Sequence, residues 1–408
     1  MERDTEVNLL QTVDDITDDW VLRLLNNRED HSGTRPVIHL RKWSKHGCPS
    51  KDALSGFSSS RDSIKIEYDL TNEDGSNQTV EETLVIKVLP SDKVMAKLLT
   101  DEKMHHVEVG QYKTFLKTLQ TWERERKGPG KLAIMEELVP PHALAVSTNT
   151  HFTIAMPDLR YQGYEIMNFD LGLSEKQLLA TAEKLGTYHG TGVAFKIITG
   201  INPGETFPQC FHEASVNSPA FTVFAAPCFE QFKKDWSQDP TKTDLLKKLQ
   251  VYEDILVDFV VNNLKAKEPF ATALHGDLQS SNMFFKEESN GEISLKLIDW
   301  ATARYSQGTV DLAYLLNISV DTEIRRKATP KAIDMYFNAF NMALEDLGAD
   351  ISYPRSTFEK DLKMAMQNIV IWSIMCNNVF STSEKMKKRL DAIVTDVLTN
   401  PDIELPTL

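Results

Sequence analysis

Residues 275–282 have the sequence His-Gly-Asp-Leu-Gln-Ser-Ser-Asn, and residues 297–300 have the sequence Leu-Ile-Asp-Trp. Asp277 and Asn282 are five positions apart in the first segment, and Asp299 follows a short apolar run in the second. The residues between them predict a small β-hairpin, because two apolar runs flank a turn at Asn290-Gly291. We therefore expect three oxygen-bearing side chains from two neighbouring segments to meet at one site.

These three side chains have the chemistry that phosphoryl transfer requires. In that reaction the protein mainly positions groups and neutralises charge. Asp277 is predicted to be the catalytic base, which orients an acceptor hydroxyl and takes its proton late. Asn282 and Asp299 are predicted to hold Mg²⁺ on ATP, since magnesium prefers hard oxygen ligands. Each fragment alone would be an ordinary turn or strand end, and it is their combination that favours the catalytic interpretation.

The N-terminal part of the chain predicts an antiparallel sheet with one packed helix. Residues 64–70 alternate polar and apolar side chains, as a half-buried strand does. Residues 72–76 supply a turn. Further strands are predicted at residues 83–89, 132–139 and 152–156. A single helix is predicted over residues 100–120.

Two charged residues in this part are candidates for nucleotide binding. Lys87 lies inside an apolar strand, from which an ammonium group can reach the α- and β-phosphates of ATP. The alternative is a strand lysine that extends its charge to solvent. Glu108 on the predicted helix would pair with Lys87, and Glu102 takes that place if the helical register shifts. Either glutamate could equally be a solvated helix residue.

The segment expected to cover the phosphates contains a single glycine. Residues 54–61 have the sequence Leu-Ser-Gly-Phe-Ser-Ser-Ser-Arg. Gly56 and Ser58 are predicted to donate hydrogen bonds to phosphate, although a flexible polar loop explains this sequence equally well. Met156 and Asp158 lie where the two halves of the chain join, and their amides are predicted to contact adenine. Pro157 between them has no amide hydrogen to donate.

The rest of the chain predicts a larger helical part. Ser174 and Gln177 form a capping box at the start of a helix. Residues 244–263 carry a regular apolar stripe, and residues 310–400 are again helical in pattern. We therefore predict an α+β, two-lobed fold. Residues 1–156 would form a small antiparallel-sheet lobe over the nucleotide, and residues 157–408 a larger helical lobe with the catalytic loop and the acceptor site.

The catalytic segments resemble those of the choline and aminoglycoside kinase-like superfamily rather than those of protein kinases, which usually carry Arg at the position of Gly276. Within it, the order of features resembles the ecdysteroid kinase-like family over about residues 15 to 395. Besides the two catalytic segments, the matching stretches are Leu84-Val-Ile-Lys-Val88, Glu108 with Tyr112, Asp158-Leu159 with Gly163-Tyr164, Leu185-Gly-Thr-Tyr-His-Gly190 and Thr309-Val-Asp-Leu-Ala-Tyr-Leu315. The resemblance implies a protein-kinase-like fold, ATP and Mg²⁺ as cofactors, and a small-molecule alcohol as acceptor, such as an ecdysteroid-like sterol or a hydroxylated xenobiotic. It also implies that Asp311 braces the catalytic loop through backbone amides.

The acceptor site is expected in the helical part, among aromatic and apolar residues. The candidates are Phe221, Phe224, Phe229, Trp372 and Met375. Such residues more often belong to a core than to a pocket. A cavity lined by them would suit a bulky apolar alcohol, whereas a choline-type cation would need an aromatic cage with acids. An aminoglycoside-type acceptor and a catalytically weak pseudokinase that only binds nucleotide or ligand remain alternatives. The single glycine and Pro157 favour the pseudokinase, and the intact catalytic segments oppose it.

The bulk composition excludes several other classes of protein. The 59 acidic residues exceed the 45 basic ones, giving a net charge of −14, which argues against nucleic acid and against anionic membranes as partners. No apolar run is long enough for membrane insertion. The four cysteines show no spacing typical of a zinc site or a disulfide framework. We expect a cytoplasmic protein, and no sequence feature indicates its oligomeric state.

Overall fold

A computed structural model describes residues 9–28, 37–46, 59–71, 76–167, 170–213, 225–379, 383–403 and 405. Its N-terminal part contains a five-stranded antiparallel sheet with the strand order β1-β2-β3-β5-β4. The strands are β1 (Val37–Lys45), β2 (Ser60–Thr71), β3 (Asn77–Val88), β4 (Leu144–Ser147) and β5 (Phe152–Pro157). This sheet and the helical part that follows confirm the predicted α+β fold.

The centre of the sheet is the strand pair that the alternating pattern predicted. Ile64 and Ile66 of β2 are fully buried, because alternate residues of a strand lie on one face. They belong to the same core cluster as Trp20 and Leu24 of helix α1 (Asp18–Asn26). The Thr17 hydroxyl caps this helix by accepting a hydrogen bond from the Trp20 amide. The apolar stripe of α1 thus covers one face of the sheet.

The predicted helix over residues 100–120 is divided in the structure. Four helices lie between β3 and β4: α2 (Lys93–Asp101), α3 (Met104–Gly110), α4 (Leu116–Lys127) and α5 (Ile134–Leu138). Lys103 has a left-handed backbone with φ of 55°, which separates α2 from α3. A π-helical turn over Gln111–Phe115 then joins α3 to α4. Such turns often occur near functional sites.

The strand predicted over residues 132–139 is wrong, because this segment forms α5. The Ile134 amide donates to both oxygens of the buried Glu123 carboxylate at 3.0 and 2.9 Å, and the Ala133 amide donates to Glu136 at 2.9 Å. Carboxylates thus satisfy amide groups at the start of a helix, which have no partner within it. The strand that pairs with β5 is instead β4, further along the chain.

The C-terminal part is mainly helical, as predicted. Its helices are α6 (Glu175–Thr199), α7 (Pro203–Thr206), α8 (Ala226–Trp236), α9 (Thr243–Asp254), α10 (Leu256–Asn263), α11 (Thr309–Ile318), α12 (Thr322–Leu347), α13 (Arg355–Val379) and α14 (Glu384–Thr399). The capping box of Ser174 and Gln177 starts α6. The helix predicted over residues 244–263 breaks at Ile255, whose φ of −116° ends α9. No helix among the described residues combines the length and apolar character needed to cross a membrane.

Two small sheets hold the catalytic segments. One contains β6 (Glu165–Ile166), β8 (Met283–Glu287) and β9 (Ile293–Leu297), and the other contains β7 (Ala271–Leu274) and β10 (Arg304–Gln307). The strands β8 and β9 form the predicted hairpin, with Met283 opposite Leu297. β7 ends just before His275 and β9 ends two residues before Asp299, so each small sheet carries one catalytic segment at a strand end.

Candidate active site

The catalytic loop after β7 starts with a backbone shape that only glycine adopts easily. Gly276 has φ of 85°, and a Cβ atom there would lie 2.1 Å from the Thr302 carbonyl oxygen. Asp311 of α11 accepts hydrogen bonds from the amides of His275 and Gly276 at 2.7 and 2.9 Å. The predicted bracing role of Asp311 is therefore confirmed, and the close approach to Thr302 explains why no larger residue occupies position 276.

Two histidines support this loop without facing a ligand. The Nδ1 atom of His275 accepts a hydrogen bond from the Asp277 amide at 3.3 Å, and the Nε2 atom lies 3.0 Å from the Ile298 carbonyl oxygen. These partners assign the proton to Nε2. His189 of α6 places its Nε2 3.4 Å from the Asp311 carboxylate, and its Nδ1 bonds to the Tyr336 hydroxyl. Both histidines are fully buried and therefore act on the geometry of the loop.

Asp277 is held by donors on both carboxylate oxygens. The Tyr314 hydroxyl donates to Oδ1 at 3.0 Å. The side-chain nitrogens of Gln279 and Asn282 donate to Oδ2, each at 2.9 Å. Burial and then the negative charge of Asp299 raise the pKa of Asp277, and hydrogen bonds to the charged form only partly oppose them. An oriented carboxylate with a raised pKa is well suited to accept a proton from an alcohol.

Asn282 and Asp299 are brought together by the β8–β9 hairpin. The Ile298 amide donates to the Asn282 carbonyl oxygen at 3.1 Å, which places the next residue, Asp299, beside Asn282. The side-chain nitrogen of Asn282 already donates to Asp277, so the predicted role as a metal ligand would fall to its side-chain oxygen. Asp299 has φ of 67°, an uncommon value for a residue other than glycine and one that recurs at active sites.

Lys87 and Glu108 form the predicted ion pair. The Lys87 ammonium lies 2.8 and 2.7 Å from the two carboxylate oxygens of Glu108 and 2.8 Å from Oδ1 of Asp299. Burial raises the pKa of Glu108 to about 7, an effect that Asp299 strengthens and Lys87 opposes. Glu102, the alternative partner, instead pairs with His212 at 3.1 Å. The register of the helix therefore selects Glu108.

Arg61 is a further member of this site that the sequence did not reveal. Its Nη2 lies 3.1 Å from Oδ2 of Asp299, and its Nε donates to the Ser59 hydroxyl at 2.8 Å. Burial alone would raise the pKa of Asp299, but Lys87 and Arg61 outweigh it and lower the pKa to about 2. The position of Arg61 at the end of the single-glycine segment was the only signal that could have drawn attention to it.

The donor set fits a magnesium ion that is shared with a nucleotide. Asn282 and Asp299 offer an amide oxygen and a carboxylate oxygen, which is too few ligands for an ion held by protein alone. Over the described part of the chain, no group of three or more His, Cys, Asp or Glu side chains could hold a metal. Mg²⁺ usually binds one or two carboxylates and completes its shell with water and substrate phosphates. Both residues therefore suit a metal that arrives with polyphosphate.

The other predicted nucleotide contacts are placed only in part. Gly56 and Ser58 lie outside the described residues. Met156 lies in β5 opposite Val85. The Asp158 amide donates to the Thr83 carbonyl oxygen at 2.9 Å, and its buried carboxylate accepts from Ser63 at 3.1 Å. The Asp158 amide is thus already used within the sheet, which argues against it as a hydrogen-bond donor to adenine. The contact of the Met156 amide with adenine stays a prediction.

The acceptor candidates have different surroundings. Phe221 and Phe224 lie outside the described residues. Phe229 is fully buried in a core cluster with Trp236 and Tyr252, and Met375 packs on the same cluster, so Phe229 is a core residue. Trp372 is partly buried, and its ring lies 6.1 Å from the ring of Tyr314.

Tyr314 lies between Trp372 and Asp277, because its ring faces Trp372 and its hydroxyl donates a hydrogen bond to Asp277. Cys376 is also close, because Asp277 is one of the charges that raise its pKa, after burial, to about 12. Tyr314 and Cys376 are therefore neighbours of Asp277, and Trp372 is a neighbour of Tyr314. Of these three residues, sequence patterns had singled out only Trp372 for the acceptor site.

Comparison with known proteins identifies the family. The sequence model described as the ecdysteroid kinase-like family matches residues 55–349. The chain is similar in structure to Plasmodium vivax ethanolamine kinase, with 12% identity, a TM-score of 0.40 and coverage of 88% of this chain and 82% of that one. It is also similar to a microcompartment-associated aminopropanol kinase, with 11% identity, a TM-score of 0.47 and coverage of 89% and 95%. A glucosamine kinase in complex with glucosamine, ADP and inorganic phosphate matches with 10% identity, a TM-score of 0.38 and coverage of 97% and 99%. No curated protein sequence matches the chain.

Proposed function

The chain belongs to the ecdysteroid kinase-like family and is a phosphotransferase that acts on hydroxyl groups. We therefore propose that it transfers the γ-phosphoryl group of ATP to a lipophilic alcohol in the presence of Mg²⁺. The acceptor would be an ecdysteroid-like sterol or a hydroxylated xenobiotic. The observation that carries this proposal is the meeting of Asp277, Asn282 and Asp299 with the Lys87–Glu108 ion pair at one site.

Asp277 acts on the acceptor side of the site. Its carboxylate orients the acceptor hydroxyl and takes the proton as the new phosphate ester bond forms. Tyr314, Gln279 and Asn282 hold the two carboxylate oxygens in place. This fixed orientation matters because a loose transition state gains most from correct positioning of the two reacting oxygens.

The nucleotide side of the site consists of one cation and two oxygen ligands. Lys87 binds phosphate oxygens, and Glu108 holds its ammonium group in position. Asn282 and Asp299 hold the metal, and magnesium supplies neutralisation of the charge on the phosphates when it is bound. In the same proposal, residues 1–156 cover the nucleotide and residues 157–408 hold the acceptor. A cytoplasmic location stays a prediction.

Trp372 is the candidate whose position supports an apolar acceptor. Its ring lies 6.1 Å from the ring of Tyr314, and the Tyr314 hydroxyl donates to Asp277. In this proposal the apolar part of the acceptor contacts these rings. Rings beside a carboxylate would also suit a choline-type cation, so the choice between the two acceptor classes is made by the experiment below.

The test is phosphorylation of a panel of hydroxylated steroids, choline analogues and aminoglycosides, with the phosphate ester detected by mass spectrometry. We expect a steroid-type alcohol to be phosphorylated and Asp277→Asn to lower kcat by roughly 10²–10⁴-fold, the usual contribution of a general base. Binding of Mg–ADP, measured by thermal shift, should survive this substitution.

The exposed Asp244→Asn variant serves as the matched control and should retain full activity. No ATP turnover above background by either the unaltered protein or the Asp277→Asn variant would instead indicate a binding module without catalysis, and equal non-zero turnover by both would exclude Asp277 as the base. A preference for choline or for an aminoglycoside would leave the kinase assignment standing and overturn the acceptor class.

A further inference from the structure

Arg61 occupies a place from which a phosphate group could be reached. It lies near the start of β2 and pairs directly with Lys87 of β3 in the sheet register. Directly opposed residues of antiparallel strands extend on the same face, and both side chains indeed contact Asp299. The sheet therefore presents two cations, side by side, to the residue that is expected to hold the metal.

The two cations conflict with the metal role of Asp299. Lys87 is 2.8 Å from Oδ1 and Arg61 is 3.1 Å from Oδ2, so each carboxylate oxygen already has a positive partner. A divalent cation needs at least one of these oxygens, and two positive groups at the same carboxylate would repel it. Release of one of the two side chains from Asp299 would relieve this repulsion when the metal binds.

Arg61 is the side chain that can leave at lower cost. Lys87 is 7% exposed and is also bonded to both oxygens of Glu108. Arg61 is 15% exposed, its contact with Asp299 is the longer one, and its other bond is to the neutral hydroxyl of Ser59, two residues before it in the chain. Its departure breaks one ion pair and leaves the Lys87–Glu108 pair intact.

We propose that Arg61 is a phosphate-binding residue: it holds Asp299 while the site is free of nucleotide and passes to the phosphate oxygens when Mg–ATP binds. The inference rests on the function proposed above and adds the residue that compensates for the single glycine of the covering segment. A guanidinium group binds phosphate with two parallel hydrogen bonds. In other phosphate sites, the backbone amides of a glycine-rich loop donate such hydrogen bonds. Mg–ATP carries excess negative charge towards Lys87 and Arg61, the two cations that contact Asp299.

Binding measurements on Arg61→Ala and Arg61→Lys test the proposal without the need for turnover. Titration calorimetry would compare Mg–ATP with adenosine as probes. For Arg61→Ala we expect roughly 10- to 100-fold weaker binding of Mg–ATP, the loss of a charge-assisted hydrogen-bonded pair, and unchanged binding of adenosine. Arg61→Lys should lie between the two, because lysine keeps the charge without the paired donors.

Arg41→Ala is the matched control, since Arg41 lies on β1 and pairs with Asp69 instead of the active site. It should leave both affinities unchanged. Unchanged or tighter Mg–ATP binding by Arg61→Ala would overturn the proposal, because Arg61 would then only compete with the metal. If the unaltered protein itself fails to bind Mg–ATP, the proposed function falls as well. Retained adenosine binding shows that each variant is folded.

Discussion

The pair of cations around Asp299 predicts a measurable contribution to stability in the absence of nucleotide. The pKa of Asp299 is lowered from 3.8 to about 2 in the folded protein. Each pKa unit corresponds to about 1.4 kcal/mol, so the ionised carboxylate stabilises the folded state by about 2 kcal/mol. Asp299→Asn keeps the size of the side chain but removes the charge. We therefore expect it to lower the free energy of unfolding by about this amount.

The dependence on pH follows from the direction of the pKa shift. A carboxylate with a lowered pKa stabilises the folded protein at every pH above its unfolded value of 3.8, and the contribution is lost as the pH falls through about 2. Asp299 also raises the pKa of Glu108, which reaches about 7, so the Asp299 contribution is isolated only below about pH 4, where Glu108 is protonated in both the folded and the unfolded state. In that range the difference in unfolding free energy between the unaltered protein and Asp299→Asn should shrink as the pH falls.

Urea unfolding of the nucleotide-free protein, followed by circular dichroism, measures this difference. Asp244→Asn is the matched control, because the Asp244 side chain is 88% exposed and pairs only with Lys247 in the described structure, so its replacement should leave the unfolding curve in place. The reasoning would be refuted if Asp299→Asn were as stable as the unaltered protein near pH 5, or if the difference did not shrink as the pH was lowered below about 4.

Two further substitutions test other parts of the site. Tyr314→Phe removes the hydroxyl that donates to Asp277 and should raise the pKa of that carboxyl further. The acid limb of the kcat–pH profile, measured by steady-state kinetics, should therefore move to higher pH. An acid limb that stays in place would argue against this link. Gly276→Ala would place Cβ 2.1 Å from the Thr302 carbonyl oxygen at a φ of 85°, so we expect thermal unfolding to show a loss well beyond the about 1–2 kcal/mol of a left-handed backbone alone. Gly291→Ala, which has a φ of 83° and no neighbouring atom within 4 Å, should show only that smaller loss, and equal losses for the two variants would contradict the steric explanation.

Features encoded by neighbouring residues were predictable from the sequence. The alternation over residues 64–70 predicted β2 because the period of side chains along a strand is local. Ser174 predicted the start of α6, since its hydroxyl bonds to an amide three residues away. Asp277 and Asn282 were recognisable because their chemistry and spacing lie within one loop. The error at residues 132–139 has the opposite origin, since the helix there is capped by Glu123 of the preceding helix.

The arrangement around the carboxylates depended on contacts that no local pattern encodes. Arg61 and Asp299 are 238 positions apart, and they meet because the register of β2 against β3 sets Arg61 beside Lys87. Tyr314 reaches Asp277 only because α11 packs beneath the catalytic loop. The amino-acid sequence thus specified the chemical groups and the local elements that carry them. Strand register and helix packing, which sum many weak contacts between distant residues, determined which of those groups face one another.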